Sequence, residues 1–265
     1  YGNSLKTDGG TVVLTTTSGT LGAVSFDAGG EHIATLSPTA LIGSATITAT
    51  VTPNAGPENG VLGNVPGSAS VAFRAGAPAK LTISQEPSDI VIGEAITPAM
   101  TVRIEDANGN LTSSTASVTV ATDTNPGDAT LSGTASVSAV AGIATFNGIS
   151  LNRVGAGNTL TFSSGTLTDA TSSAFNSTAK TLTIGGTFTA DDKSYDGAAS
   201  ATIGSNNLTL VGLVTGTDSV DISPVISFAD GTLGAGKTVS IQNTSTLTGV
   251  HAANYTLDVT GAPTT

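Results

Sequence analysis

Cysteine and tryptophan are absent from this 265-residue chain, methionine occurs once and histidine twice. Without cysteine there is no disulfide staple and no thiolate chemistry. Two histidines are too few to build a zinc centre of the His/Cys kind. Charge is scarce as well: Lys and Arg number 8 against 19 Asp and Glu, for a net charge of −11, and charged residues make up only 10% of the chain. Binding a phosphate backbone needs a basic surface, so composition argues against a nucleic-acid partner. No apolar run approaches the roughly 20 residues of a membrane-spanning helix. Tyr1 stands where an initiator Met or export signal would begin, so the expectation is a piece of a longer, processed polypeptide.

What fills the chain is Thr, Ser, Ala and Gly. Apolar residues do not recur at helical spacing over any long window, and β-branched residues are spread throughout. Period two is what remains. Ala45, Ile47, Ala49 and Val51 alternate with Thr46, Thr48 and Thr50, and Met100, Val102 and Ile104 alternate with Thr101, Arg103 and Glu105. Similar stretches run through 11–17, 68–73, 80–84, 117–121, 142–151, 159–163, 208–213, 238–241 and 255–259. Turn clusters such as Ala28-Gly29-Gly30, Asn108-Gly109-Asn110, Asn125-Pro126-Gly127 and Asp230-Gly231 separate them. Short strands with frequent turns predict an all-β fold of tandem immunoglobulin-like sandwiches, elongated rather than merged into one core.

Two stretches read as linkers, 75–80 and 176–180, and they divide the chain into modules 1–79, 80–180 and 181–265. Laid over the second module, the first aligns Tyr1-Gly2-Asn3 with Asn108-Gly109-Asn110, and Phe73 with Phe175. On that alignment it lacks the counterpart of Lys80 to Ala107, the opening strands of a sandwich. Such a module exposes strand edges and apolar surface that something outside the sequence should cover.

Several blocks carry a family likeness. The second module contains Gln85-Glu86-Pro87-Ser88, then Val102 through Asn110, Ala141 through Leu151, and Ser172-Ser173-Ala174-Phe175-Asn176. It resembles the bacterial immunoglobulin-like repeats of large surface adhesins, the class that includes invasin- and intimin-like stalks. The first module resembles the same class without its opening strands. The third is similar to the YDG-type repeats of haemagglutinin-like adhesins. It shows, in family order, Lys193-Ser194-Tyr195-Asp196-Gly197, the segment 214–220 with Gly216-Thr217-Asp218, Gly234 through Val239, and Leu247 through Leu257 with His251, Asn254 and Tyr255. The resemblance implies architecture and a cell-surface or extracellular setting more than an activity.

Candidate chemistry is sparse. His32 and His251 fall in different modules, and neither has the serine-and-carboxylate neighbourhood of a nucleophilic site, so no enzyme is expected. The candidate metal ligands are Asp106, Asn108 and Asn110, whose alternating oxygen side chains suit calcium, with Glu105, Asp123 and Asp128 as possible neighbours. The competing reading is a tight turn in which those side chains bind the backbone. No other cofactor is expected. Tyr195-Asp196 suits sugar recognition, against a plainer account in which Gly197 turns the chain, Asp196 caps the turn and the Tyr195 ring is buried. Tyr255 reads as a core or corner tyrosine. The expected function is a structural stalk or spacer in an exported adhesin-like repeat protein. The alternative is a subunit of an extracellular filament or surface layer assembled by strand complementation. The partners are then the rest of a longer polypeptide or neighbouring subunits, and a surface ligand gripped by an adhesive domain elsewhere.

Overall fold

A computed structural model describes residues 10–23, 25–26, 32–37, 43–53, 67–214 and 218–265. Among these there is no α-helix, only strands and one three-residue 3₁₀ turn at Ala252–Asn254. The expectation of an all-β chain is met. No helix of the described residues is long and apolar enough to cross a membrane. Two compact units emerge, one of residues 1–80 with 104–114, the other of residues 81–103 with 115–265.

In the first unit, Gly43–Pro53 lies between Gly10–Thr16 and Gly67–Phe73 in an antiparallel sheet. The register sets Leu14 opposite Ala49 and Thr16 opposite Ile47, placing these side chains on one face. Ala45 on that face is fully buried, whereas Leu14, Ile47 and Ala49 are only half-buried. Val13, on the opposite face, is 50% exposed. Two short ladders, Thr20–Leu21 with Leu36–Ser37 and Ser25–Phe26 with His32–Ile33, accompany the sheet. The Tyr1-Gly2-Asn3 and Ala28-Gly29-Gly30 segments lie outside the described residues.

The second unit holds two sets of sheets. Its immunoglobulin-like part pairs residues 100–103 antiparallel with Ile143–Phe146. A second sheet runs Ser136–Ser138, Ser117–Thr122, Leu160–Ser163, Ala170–Thr171. The side chains that alternate inward, Met100, Val102, Val118, Val120, Leu160 and Phe162, are all buried. Phe146 meets Phe162 with ring centroids 5.2 Å apart and planes tilted by 58°, a favourable edge-inclined aromatic pair. The C-terminal part places Lys180–Ala190 between Ile203–Val211, antiparallel, and Tyr255–Asp258, parallel. Its core gathers Ile184, Phe188, Ile226, Val239 and Ile241.

The segment 176–180, expected as a linker, is nearly all strand. Phe175–Thr178 ends and Lys180–Ala190 begins with Ala179 alone between them. A separate apolar cluster also joins the two parts: Ile92 from the immunoglobulin-like part packs with Leu182, Val220 and Tyr255, with Val154 and Val214 at its margin. These residues all belong to the compact unit of 81–103 and 115–265.

Candidate functional site

The Asp106 turn is an array of N–H donors around one carboxylate. Oδ1 accepts from Asn108 N and Asn110 N, each at 2.9 Å, while Oδ2 accepts from Gly76 N at 2.8 Å and from Asn110 Nδ2 at 3.0 Å. Gly109 takes φ +86° in the turn, a backbone conformation that glycine adopts without strain. The Asn110 side chain and the Gly76, Asn110 and Asn108 amides together hold the Asp106 carboxyl at about 2, well below its usual range. Glu105, at its side, stands 4.0 Å from Lys80 Nζ. Asp123 accepts from Thr159 Oγ1 at 2.9 Å, and Asp128 sits at φ +48° in a turn. Among the described residues no three His, Cys, Asp or Glu side chains converge as a metal site.

The Lys193-to-Gly197 block behaves only partly as its residues predict. Asp196 Oδ1 caps the turn by accepting from Ala198 N at 2.9 Å, and Gly197 turns at φ +76°. Tyr195, expected to bury its ring, is 67% exposed instead. It lines a cleft of about 570 Å³ together with Asp191, Asp192, Phe228, Leu233 and Thr265. Both lysines in the cleft are paired with carboxylates. Lys193 meets Asp196 at 2.9 Å, and Lys237 meets Asp230, whose carboxyl its ammonium holds far below the ordinary range. One exposed ring beside self-paired charges does not make the two-sided aromatic platform of a sugar cleft.

The C-terminal blocks converge elsewhere. Asp218 comes from the second block and His251, Asn254 and Tyr255 from the last, and they meet around Arg153 of the immunoglobulin-like part. Asp218 has a side chain only 1% exposed and receives Arg153 Nη1 at 2.8 Å. Tyr255 donates its hydroxyl to Asp218 Oδ2, and the same hydroxyl oxygen accepts Val214 N at 3.0 Å. Burial and the adjacent Asp218 carboxylate both push the Tyr255 phenol up, so it remains a donor. Tyr255 is 6% exposed, as expected of a core tyrosine.

His251 has two mutually exclusive sets of bonds. Arg153 Nη2 stands 3.1 Å from Nε2, and because guanidinium has only donors, that contact is a hydrogen bond when the ring proton sits on Nδ1. That proton then points at Asp218 Oδ1, 3.2 Å away. In the other tautomer Nδ1 accepts Ser219 N at 3.1 Å. The backbone is secured too: Val154 N donates to Asn254 Oδ1 at 3.0 Å, and Ser177 Oγ donates to Arg153 O at 2.7 Å. Sequence reading located Asp218, His251, Asn254 and Tyr255 as family blocks but missed Arg153. Its available signal was rarity, since the chain has only three arginines. His32 contributes a backbone pairing to Phe26. Gly216 and Thr217 lie outside the described residues.

No curated protein sequence matches the chain. Among solved structures, Yersinia pseudotuberculosis adhesin InvE is 21% identical with a TM-score of 0.31, covering 65% of this chain and 50% of its own. Yersinia pseudotuberculosis InvD is 19% identical with a TM-score of 0.37, covering 92% of this chain and 61% of its own. A β-glucuronidase from Parabacteroides merdae is 18% identical with a TM-score of 0.29, covering 60% of this chain and 20% of its own. The chain thus spans half or less of the length of the first structures it matches. The family comparison is local and agrees with the four C-terminal blocks: residues 178–265 match the YDG domain.

Proposed function

We propose that the chain is a structural spacer within a longer exported, adhesin-like polypeptide, holding other domains at a distance and catalysing no reaction. The observation that carries this reading is the joint between the immunoglobulin-like part and the YDG domain. A single residue, Ala179, separates consecutive strands, and a part-buried ion pair and an apolar cluster flank it. A spacer needs joints that do not fold back, and a short, bonded connection serves that end better than a flexible one. In keeping with a non-catalytic reading, the His251 ring's single lone pair is met in either tautomer, by Arg153 at Nε2 or by Ser219 N at Nδ1. The Asp106 turn works without metal in this reading, because its carboxylate oxygens are already met by N–H donors. Solution scattering tests the spacer role through the particle's extension.

A second reading, assembly by strand complementation, is favoured by one comparison. In the immunoglobulin-like part the inward residues Val118, Val120, Leu160 and Phe162 lie beneath a second sheet and are buried, whereas Leu14, Ile47 and Ala49 in the first unit remain half-buried. A strand from another chain or from elsewhere in the parent polypeptide would cover that face and pair an open edge. If a second copy is the donor, analytical ultracentrifugation shows mass rising with concentration. A monomer at every concentration eliminates the copy and leaves the parent polypeptide as the source.

A further inference from the structure

We propose that Asp218, His251, Asn254 and Tyr255 of the YDG domain form a socket whose occupant is an arginine-bearing turn, Asn152 to Val154, of the module that precedes it, locking the two into one mechanical body. Asp218 lies inside the C-terminal domain with a side chain only 1% exposed. A carboxylate taken out of water to that extent is costly without a cation, and Arg153 brings one from the neighbouring module at 2.8 Å. The planar guanidinium suits the place, since Nη1 reaches Asp218 while Nη2 reaches His251. Lysine offers one compact charge and no fork.

The turn is gripped along its backbone as well as by its side chain. Asn254 accepts the Val154 amide, and Ser177 donates to the Arg153 carbonyl, so the guanidinium is aimed by bonds on both sides of the joint. Beside it runs the apolar seam of Ile92, Leu182, Val220 and Tyr255, whose Tyr255 hydroxyl donates to Asp218. The fit extends to Gly93, at φ +77°, where an added Cβ would stand 2.8 Å from a Val214 methyl. Blocks that look like a ligand site in isolation are, in this arrangement, a recognition surface for the domain next door. Within the chain, the socket's partner is therefore a neighbouring module that presents an arginine after its Ser150–Leu151 strand.

The inference rests on the spacer reading for its use but not for its geometry, and the two fail separately. Scattering addresses extension of the whole chain, whereas distances across the joint address the socket. The natural absence of cysteine makes the second measurement clean. Nitroxide labels at Thr145→Cys and Asn207→Cys, both exposed strand positions, report the distance between the two parts of the full chain by pulsed electron spin resonance. The parent should give one narrow distribution. Arg153→Ala should broaden it at least about twofold, as expected of domains freed from a specific interface, while circular dichroism shows the β-structure retained. Asn254→Ala approaches the same joint from the opposite side and should broaden it too, so either variant that folds decides the matter. A parent distribution that is already broad, or a folded Arg153→Ala or Asn254→Ala protein with unchanged width, overturns the proposal.

Discussion

Single carboxylates do much of the local organisation here, and their surroundings set different behaviour. Asp106 bonds to three backbone amides and one side-chain amide, and its carboxyl is held at about 2. An unfolded aspartate titrates near about 3.9. Its folded value is depressed, so the unfolded state binds the proton more readily and stability falls as the pH drops. The contribution is fully present above about pH 4 and is lost as the pH falls through about 2. Melting of the parent should therefore decline over that window more steeply than melting of Asp106→Asn, whose midpoint should lie lower at neutral pH. Equal slopes contradict the account. EDTA should leave the parent midpoint unchanged, and a fall of more than about 10 °C would demonstrate a structural cation. This turn was legible because its Asn108 and Asn110 bonds span two to four residues. The Arg153 joint was not, because its partners lie 65 to 100 residues away along the chain, and no local pattern encodes a contact at that separation.

Strands were legible where apolar residues alternate with polar ones along the chain. The alternation in 45–51 and 100–105 falls inside Gly43–Pro53 and Met100–Asp106. Where the chain turns on glycine the pattern misled: 142–151 reads as one strand but forms Ile143–Phe146 and Ser150–Leu151, because Gly148 at φ +73° breaks the ladder between them. The Ser- and Thr-rich 176–180 reads as a linker because it is polar, yet it is strand, since small hydroxyl residues suit pleated edges as well as loops. A matched pair of glycines separates backbone strain from packing at the joint. Gly93 and Gly157 share φ +77°, but an added Cβ meets Val214 at 2.8 Å in the first and nothing within 4 Å in the second. Gly157→Ala should cost about 1–2 kcal/mol from the left-handed backbone alone. Gly93→Ala should cost about 1–3 kcal/mol more, from overpacking against Val214. Chemical denaturation checks both. Equal losses would show that the Gly93–Val214 contact is not tight.

For the whole molecule, the central claim is that tandem β-modules serve to span distance. Low charge density, a net charge of −11 and abundant Thr and Ser keep such an array hydrated without long-range attraction between modules. The immunoglobulin-like and C-terminal parts of the second compact unit are joined by contacts that no local sequence pattern announces. Ile92, Leu182, Val220 and Tyr255 share a core, and Arg153 reaches Asp218. Sequence analysis recognised the repeats from their blocks, but the adhesion between them depends on which side chains face each other across the joint. The spacing role has one direct measurement, the radius of gyration of the full chain from small-angle scattering at dilute concentration. A compact particle of this length would give about 18 Å. The account predicts a value well above that, with a pair-distance distribution tailing to long separations, and a radius near the compact value with a symmetric distribution would contradict it.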